Sequence, residues 1–226
     1  MIRRIIDISH HEDPIDFAKV ADDGIIAIIA KATEGVTWVD PAYAKFKNAA
    51  AKVRLQLPRS AALRPSTLNP QPSTFFLWGS YHFGTGADVK AQVNHYLATA
   101  RPTDDELVCL DFEENPSGSS MSLLQAREFV SIYRERTARY PVLYGGAWLK
   151  AQLNGKADNV LAQCPVWISQ YGPRPVLPPG WKKYVLWQYT DGRVGPEPHT
   201  VNGIGPCDRN QYDGTITQLR KVWPFS

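Results

Sequence analysis

A pair of acidic side chains follows one of the most apolar runs of the chain. Residues 107–110 (Leu-Val-Cys-Leu) lead directly into Asp111, Phe112 and Glu113. Because strand side chains alternate between faces, a strand here points both carboxyl groups to one side, with Cα atoms about 6–7 Å apart. Crowded carboxyl groups repel, so one pKa rises and one group stays protonated. Glycosidic cleavage needs this combination of proton donor and negative charge, whereas the alternative is a solvated strand end.

Two further acids lie where strands are predicted to end or turn. Asp7 closes the apolar run Ile5-Ile6, and Asp208 lies in the segment Cys207-Asp208-Arg209-Asn210. An acid beside a buried strand is unfavourable unless it faces a polar cavity. For Asp208 an ion pair with Arg209 or a simple turn is the alternative. The predicted catalytic group therefore consists of Glu113, Asp111, Asp7 and Asp208.

Aromatic residues are frequent, with 7 Trp and 10 Tyr, and many follow predicted strands. Aromatic rings can stack on the apolar faces of sugars while their polar edges form hydrogen bonds. Core packing is the alternative, and it is favoured for Trp167 and Phe83. The residues predicted to contact substrate from this set are Tyr81, Tyr144, Trp187 and Tyr189.

A metal site is a competing interpretation of the same acids. Asp7, His10, His82, Asp111 and Glu113 include ligand types that bind divalent ions. The sequence contains no closely spaced ligand motif such as HExxH, and it also contains no GxSxG, Walker A or GxGxxG motif. We therefore predict no metal and no cofactor.

Apolar runs alternate with amphipathic stretches, which is typical of βαβ units around a parallel sheet. The patterns predict helices at 14–21, 41–52, 88–100 and 122–138. They predict strands at 4–9, 25–31, 79–83, 107–113, 142–145, 166–171 and 184–189. The C-terminal third is rich in strands and poor in helices. The prediction is an α/β fold, an irregular (β/α) TIM-like barrel, in a single domain over residues 1–226.

Residues 53–77 interrupt this pattern. The segment has prolines at 58, 65, 70 and 72, three arginines, and no glycine or acidic residue. A long stretch without predicted structure is unusual inside a compact domain. Two interpretations remain open: an insertion extruded from the barrel as a surface loop, or translated non-coding sequence from an incorrect gene model.

Composition restricts the partners and the compartment. The net charge is +3, and the three arginines of 53–77 account for it. The rest of the sequence has equal numbers of basic and acidic residues, so we predict no nucleic-acid or membrane partner. Three widely spaced cysteines predict buried thiols. The N-terminus has no apolar stretch of signal-peptide length. We therefore expect action on the cell wall after release by another route, or otherwise a cytoplasmic location.

Several motifs in a fixed order resemble glycoside hydrolase family 25, the muramidases of bacteria and phages. The resemblance covers nearly the whole chain apart from 53–77. The motifs that carry it are Asp7-Ile8-Ser9-His10, Asp16-Phe17-Ala18-Lys19-Val20, Ala30-Lys31-Ala32-Thr33-Glu34-Gly35, Asp40-Pro41, Gly79-Ser80-Tyr81-His82-Phe83, Asp111-Phe112-Glu113, Trp187-Gln188-Tyr189 and Cys207-Asp208-Arg209-Asn210.

The resemblance implies hydrolysis of the β-1,4 bond between N-acetylmuramic acid and N-acetylglucosamine in peptidoglycan. It makes Glu113 the acid, while Asp111 orients the substrate's 2-acetamido group or serves as base or nucleophile. Asp7 and Asp208 shape the electrostatic field, Tyr81 contacts the reacting centre, and His10 joins the substrate-binding candidates. A monomer acting on glycan strands, as an endolysin does, is expected. An inactive carbohydrate-binding homologue and a hydrolase of chitin-like polymers are the alternatives.

Overall fold

The computed structural model describes residues 1–53 and 75–225, and within these ranges strands and helices alternate through most of the chain. The helices are α1 (Phe17–Asp22), α2 (Tyr43–Ala50), α3 (Val89–Ala100), α4 (Leu123–Thr137), α5 (Ala147–Leu153) and α6 (Ile216–Val222). The strands are β1 (Ile2–Ile8), β2 (Ala27–Glu34), β3 (Trp38–Val39), β4 (Leu77–Phe83), β5 (Leu107–Asp111), β6 (Val142–Gly145), β7 (Val166–Ser169), β8 (Leu186–Thr190), β9 (Thr200–Val201), β10 (Gly205–Pro206) and β11 (Asp208–Tyr212).

Eight of these strands close into a barrel, which confirms the predicted fold class. Strands β1, β2, β4, β5, β6, β7 and β8 are joined by parallel pairings, and β11 completes the ring by pairing antiparallel with both β8 and β1. The barrel is irregular because the short β9–β10 hairpin, rather than a helix, precedes the reversed β11. The carboxyl ends of seven strands and the amino end of β11 therefore meet at one rim.

Capping side chains determine where the helices begin. Ser122 accepts a hydrogen bond from the backbone of Gln125, whose side chain bonds back to the backbone of Ser122, a capping box that starts α4 as predicted. Asp88 caps α3 by a single side-chain hydrogen bond, with its carboxylate accepting from the Ala91 backbone N–H at 2.7 Å. The pair Asp40-Pro41 suggests an N-cap and a first-turn proline for the second helix, but Asp40 lies two residues before the N-cap and accepts from the Ala42 backbone N–H.

Several predicted boundaries differ from the structure. Strand β5 ends at Asp111 instead of residue 113, and β4 begins at Leu77 instead of residue 79. The sequence patterns did not predict α5 and α6, which have seven residues each. Such short helices carry only two turns of periodicity, too little for a clear amphipathic pattern.

The core fills the barrel and the space between the barrel and its helices. Strand residues such as Ile28 and Leu110 and helix residues such as Phe129 are fully buried. All three cysteines are buried free thiols, as predicted. None of the helices among the described residues is long and apolar enough to cross a membrane. Of the predicted insertion at 53–77, residues 54–74 lie outside the described residues.

Candidate active site

A pocket with about 320 Å³ of space opens at the rim where the strand ends meet. That space includes open solvent, and the enclosed part of the pocket is about 80 Å³. The pocket brings together all four acids of the predicted catalytic group and two of the predicted sugar contacts. Its lining consists of Asp7, Tyr81, Asp111, Glu113, Tyr144, Trp167 and Asp208.

Strand polarity explains how distant parts of the chain deliver these acids. Asp7 is the penultimate residue of β1, and Asp111 is the last residue of β5. Asp208 is the first residue of β11, and the antiparallel register pairs it directly with Asp7. The sequence suggested that Asp208, like Asp7, closes a strand, but it begins one. The reversal of β11 brings it to the same rim.

The chain leaves β5 in a way that preserves the predicted alternation of side chains. The backbone N–H of Phe112 donates to the Tyr144 carbonyl at 3.0 Å, which extends the pairing one residue past the strand. The Phe112 side chain is fully buried, whereas Asp111 and Glu113 both face the pocket. The two carboxyl groups therefore lie in one enclosed site, as the spacing predicted.

Burial and mutual repulsion make these two carboxyl groups hard to ionise. Burial, with a contribution from the charge of Asp7, raises the pKa of Glu113 to about 7. Burial raises the pKa of Asp111 well above its ordinary value, and the charge of Glu113 adds to this rise. Among the residues that the structure describes, Asp111 Oδ1 is buried with no hydrogen-bond partner. The pocket can thus hold a transferable proton near neutral pH.

Asp7 and Asp208 form a second carboxyl pair, with unequal pKa values. Burial raises the pKa of Asp7 to about 6, although hydrogen bonds from Asn210 and Gln188 oppose that rise. Burial, and next the charge of Asp7, raises the pKa of Asp208 to about 9. At neutral pH the proton of this pair therefore resides on Asp208, which is hydrogen-bonded to Asp7, and Asp7 carries the negative charge.

The predicted contact Tyr81 lies among these acids. Burial, followed by the charges of Asp111, Asp7 and Asp208, raises its pKa well above the ordinary value. Tyr81 is therefore a neutral phenol at neutral pH, and its hydroxyl can donate a hydrogen bond.

Two amide side chains that the sequence analysis missed hold Asp7. Asn210 Nδ2 donates to Asp7 Oδ1 at 2.7 Å, and Gln188 Nε2 donates to Asp7 Oδ2 at 2.9 Å. Trp167 Nε1 donates to Asn210 Oδ1 at 2.7 Å, which fixes the orientation of that amide. A signal for Gln188 was present, because it lies between two aromatic residues of a strand and so faces the opposite side from them.

The same alternation places two predicted sugar contacts, Trp187 and Tyr189, away from the pocket. Trp187 Nε1 donates to the Gln170 carbonyl at 2.7 Å. Tyr189 is fully buried, its hydroxyl accepts from Arg209 Nε at 3.1 Å, and the guanidinium of Arg3 lies 4.3 Å from its ring centre. Both rings therefore face the side of β8 opposite to Gln188 and lie outside the pocket lining, and a sugar contact by either ring stays a prediction.

Trp167, for which core packing was favoured, lines the pocket although it is nearly fully buried. Its ring packs edge-on against Tyr144, with ring centroids 4.6 Å apart. It therefore serves both functions, because it forms part of the pocket wall and belongs to the barrel core.

His10 lies near the same rim but outside the pocket lining. Its Nδ1 lies 3.0 Å from Asp40 Oδ2, and its ring centroid lies 4.0 Å from His11 and 5.5 Å from Trp38. Any substrate contact of His10 would therefore require a glycan that extends beyond the pocket.

The five candidate metal ligands do not form one cluster. His82 is fully buried between Thr33 Oγ1 and Gln92 Oε1, at 2.7 and 3.2 Å, and His10 is bonded to Asp40. Within the described ranges, no group of three or more His, Cys, Asp or Glu side chains is arranged to hold a metal ion. The chemistry that this pocket supports is proton transfer and charge stabilisation by carboxyl groups.

Comparison with known proteins identifies relatives along the length of the chain. Lysozyme M1 of Streptomyces globisporus is 27% identical over 95% of this chain and 69% of its own length. The N,O-diacetylmuramidase of a Chalaropsis species is 24% identical over 96% of both chains. Among solved structures, the muramidase of Acremonium alcalophilum has a TM-score of 0.74 at 26% identity and covers 96% of each chain. A lysozyme of Streptomyces coelicolor has the same TM-score and identity over 96% of this chain and 94% of its own.

The sequence profile of glycosyl hydrolases family 25 matches residues 6–58 and 72–197. The gap in the match lies inside the predicted insertion, and the matched residues include the acids of β1 and β5. Because the match spans most of the sequence, the chain belongs to glycosyl hydrolases family 25.

Proposed function

We propose that the protein is a muramidase that hydrolyses the β-1,4 bond between N-acetylmuramic acid and N-acetylglucosamine in peptidoglycan. The observation that carries this proposal is a partly exposed carboxyl group, Glu113, whose pKa is raised to about 7 in a pocket with three further acids. A general acid is most effective when its pKa is near the working pH. The names of the relatives, lysozyme and muramidase, support the choice of substrate.

Glu113 is the proton donor in this mechanism. Its carboxyl proton moves to the glycosidic oxygen as the bond from that oxygen to C1 breaks, which releases one sugar chain as an alcohol. Positive charge develops on C1 and its ring oxygen, and the ionised carboxylate of Asp7 in the same pocket stabilises that charge. Glu113 then accepts a proton from the incoming water, which restores the starting state.

Asp111 orients the substrate's 2-acetamido group. Asp111 lines the pocket, and its carboxyl group can accept the acetamido N–H and turn the acetamido carbonyl oxygen towards C1. The neutral Tyr81 can donate its hydroxyl to the same reacting region. This assignment favours attack by the acetamido group over direct attack by Asp111.

A single catalytic domain over residues 1–226, with 53–77 as an insertion, is part of the proposal. The interruption of the family match over 59–71 supports it. The proposed substrate is a cell-wall polymer, so we expect a monomer that acts on glycan strands at the wall. Mass spectrometry of the native protein tests the insertion, because peptides from 53–77 must be recovered if the segment is translated.

The test of function is a turbidity assay on purified cell walls, with wild type beside Glu113→Gln and Glu114→Gln. Glu114 is the exposed neighbour of Glu113 and provides a matched control for lost charge. We expect Glu113→Gln to lose about 10³-fold in rate, because general-acid catalysis contributes factors of about 10²–10⁴. We expect Glu114→Gln to keep its rate. Full activity in folded Glu113→Gln would overturn the proposal.

Two further measurements separate the alternatives. Release of reducing ends by the wild type distinguishes hydrolysis from glycan binding alone, and chitin oligomers tested in parallel distinguish the substrate class. We also expect a bell-shaped pH dependence with its maximum between about 6 and 7. The rate rises as Asp7 ionises and falls as Glu113 loses its proton.

A further inference from the structure

Gln188 lies at the centre of the hydrogen bonds beneath the pocket. It belongs to β8, is 1% exposed, and does not line the pocket itself. Its Nε2 donates to Asp7 Oδ2 at 2.9 Å and to Asp208 Oδ2 at 3.3 Å. Both N–H groups of one amide therefore point at the two members of one carboxyl pair.

The other end of the same amide binds hydroxyl groups. Gln188 Oε1 accepts from the hydroxyls of Tyr144 at 2.8 Å, Tyr171 at 2.9 Å and Ser169 at 3.2 Å. Tyr144 lines the pocket, and Tyr171 is exposed at the rim. A flipped amide would place its carbonyl oxygen against the carboxyl oxygens of Asp7 and Asp208, where two acceptors repel. The observed orientation is therefore fixed from both sides.

We propose that Gln188 is a positioning residue that favours the ionised form of Asp7, to which it donates its shorter hydrogen bond, and that ties Tyr144 to the same unit. This inference rests on the proposed function, because it names a group that prepares the pocket for hydrolysis. Gln188 does not touch the reacting atoms, and it acts through Asp7.

The physical reason is that a hydrogen bond from a neutral amide favours the charged form of its acceptor. Asp7 receives one such bond from Gln188 and one from Asn210, and both oppose the effect of burial on its pKa. Without Gln188 the charge on Asp7 loses one of these donors, so a higher pH is needed to ionise it. The rate should then begin to rise at higher pH.

The test compares Gln188→Met with the matched control Gln211→Met. Gln211 is also a buried glutamine of the barrel, at 2% exposure, but its amide accepts from Arg3 Nε and donates to Asp213 Oδ1, both at 3.0 Å. We expect the acid limb of the pH–rate profile to move up by about one pH unit in Gln188→Met only, because a hydrogen bond to a charged group contributes about that much. Both variants lose a buried amide, so a general loss of stability cannot explain a shift of the acid limb that is seen only in Gln188→Met.

Gln188→Glu provides a second variant of nearly the same shape. Its carboxylate can still accept the three hydroxyls but donates nothing to Asp7 and adds a like charge, so we expect a larger upward shift of the acid limb. An acid limb at the wild-type position in either folded variant would overturn the inference. Inactive wild-type enzyme would instead contradict the proposed function, so the two failures are distinguishable.

A titration of the wild type keeps the inference testable even where both variants fail to fold. In protein labelled with ¹⁵N-glutamine, the side-chain amide signals of Gln188 should shift with a midpoint near pH 6, where Asp7 ionises. Gln188 signals that stay constant from pH 5 to 7 would contradict the proposed contact. This measurement does not depend on catalytic activity.

Discussion

Two buried aspartates in this barrel have opposite surroundings. Asp158 is 4% exposed, its Oδ1 accepts from the backbone N–H groups of Val160 and Leu161 at 3.0 and 2.9 Å, and its Oδ2 accepts from Arg127 Nε. Asp111 is 6% exposed, and its Oδ1 has no hydrogen-bond partner among the described residues. The two carboxyl groups are similarly buried, but they differ in their hydrogen bonds. Both oxygens of Asp158 have donors, whereas Oδ1 of Asp111 has none among the described residues.

The difference indicates which region serves stability and which serves chemistry. A buried charge with several donors is stabilised, whereas a buried carboxyl group without donors retains its proton or needs an external partner. Lys31 is the cation that lowers the pKa of Asp111, but its Nζ is already 2.7 Å from Glu34 Oε2. The unsatisfied Asp111 therefore destabilises the folded state, whereas Asp7 in the same pocket is held by two amide donors.

Asp111→Asn is the substitution with the largest expected effect among those that test this comparison. We expect a loss of about 10²-fold in the rate of cell-wall hydrolysis, the size found when one electrostatic contact to a reacting group is removed. Because asparagine carries no charge to bury, we expect the melting temperature at pH 7 to stay level or rise. Initial rates and thermal unfolding of the same preparation check both parts, and a wild-type rate would contradict the role of Asp111.

Asp158→Asn is the matching change in the other region, with the opposite expectation. It removes a charged acceptor from two backbone N–H groups and from Arg127, so we expect a loss of about 2–3 kcal/mol in the free energy of unfolding. The rate per folded molecule should not change. Urea unfolding measures the loss. A variant as stable as wild type would show that these donors contribute little.

The sequence was sufficient to predict the barrel, the positions of Asp7 and Asp111 near strand ends, and the shared facing of Asp111 and Glu113, although Glu113 lies two residues beyond β5. Period-two alternation around Asp111 and the apolar run before Asp7 are local features, so no knowledge of neighbouring strands was needed. The parallel strands of a closed barrel then carry such residues to one rim. Helix starts at Ser122 and Asp88 were predictable for the same reason, because a cap is a local hydrogen bond.

The rest of the site depends on how the strands pair, which local sequence patterns do not determine. The antiparallel direction of β11 decides that Asp208 meets Asp7, and the facing of β8 decides that Gln188, rather than Trp187 or Tyr189, turns inward. Alternation predicts that Gln188 faces the opposite side of β8 from Trp187 and Tyr189. It does not predict which of these two sides faces the pocket. The chemistry of aromatic rings favours Trp187 and Tyr189 as sugar contacts, but the register of β8 turns Gln188 towards the pocket acids instead.

Asp208→Asn sharpens the comparison through pH, with a smaller effect. In the unfolded chain this carboxyl ionises near its ordinary pKa of 3.8, but in the folded protein only near 9. Between these values the unfolded state releases a proton that the folded state retains, so the wild type loses stability as pH rises. Asparagine cannot titrate, so we expect its advantage in melting temperature to be absent near pH 3.5 and to grow steadily to several degrees or more at pH 7.5.

Calorimetry of wild type and Asp208→Asn from pH 3.5 to 8 measures this difference directly. Asp213→Asn is a suitable control, because Asp213 lies in the turn after β11 and its carboxylate already accepts from Gln211 and Tyr184. An Asp208→Asn difference that is constant with pH would mean that this carboxyl group titrates alike in the folded and unfolded states.

Glu12→Gln is the smallest perturbation and tests the charge around the pocket without changing its lining. Glu12 Oε2 accepts from Ser9 N at 2.7 Å and from Ser9 Oγ at 3.2 Å, and a glutamine carbonyl can replace both contacts. The charge of Glu12 raises the pKa of Asp7 and of Asp208. Its removal should therefore move the acid limb of the pH–rate profile down by about 0.3 pH units, and added salt should reduce the difference.

The matched control for Glu12→Gln is Glu135→Gln, an exposed residue of α4 that lies outside the pocket lining. It removes the same charge from the protein as a whole, so it should leave the acid limb in place. Equal shifts in both variants would mean that net charge, rather than the carboxyl groups near Asp7, sets the pH at which the enzyme becomes active. Such a result would weaken the contrast between the two regions, because Asp7 would then respond to the protein's overall charge and not to its own surroundings.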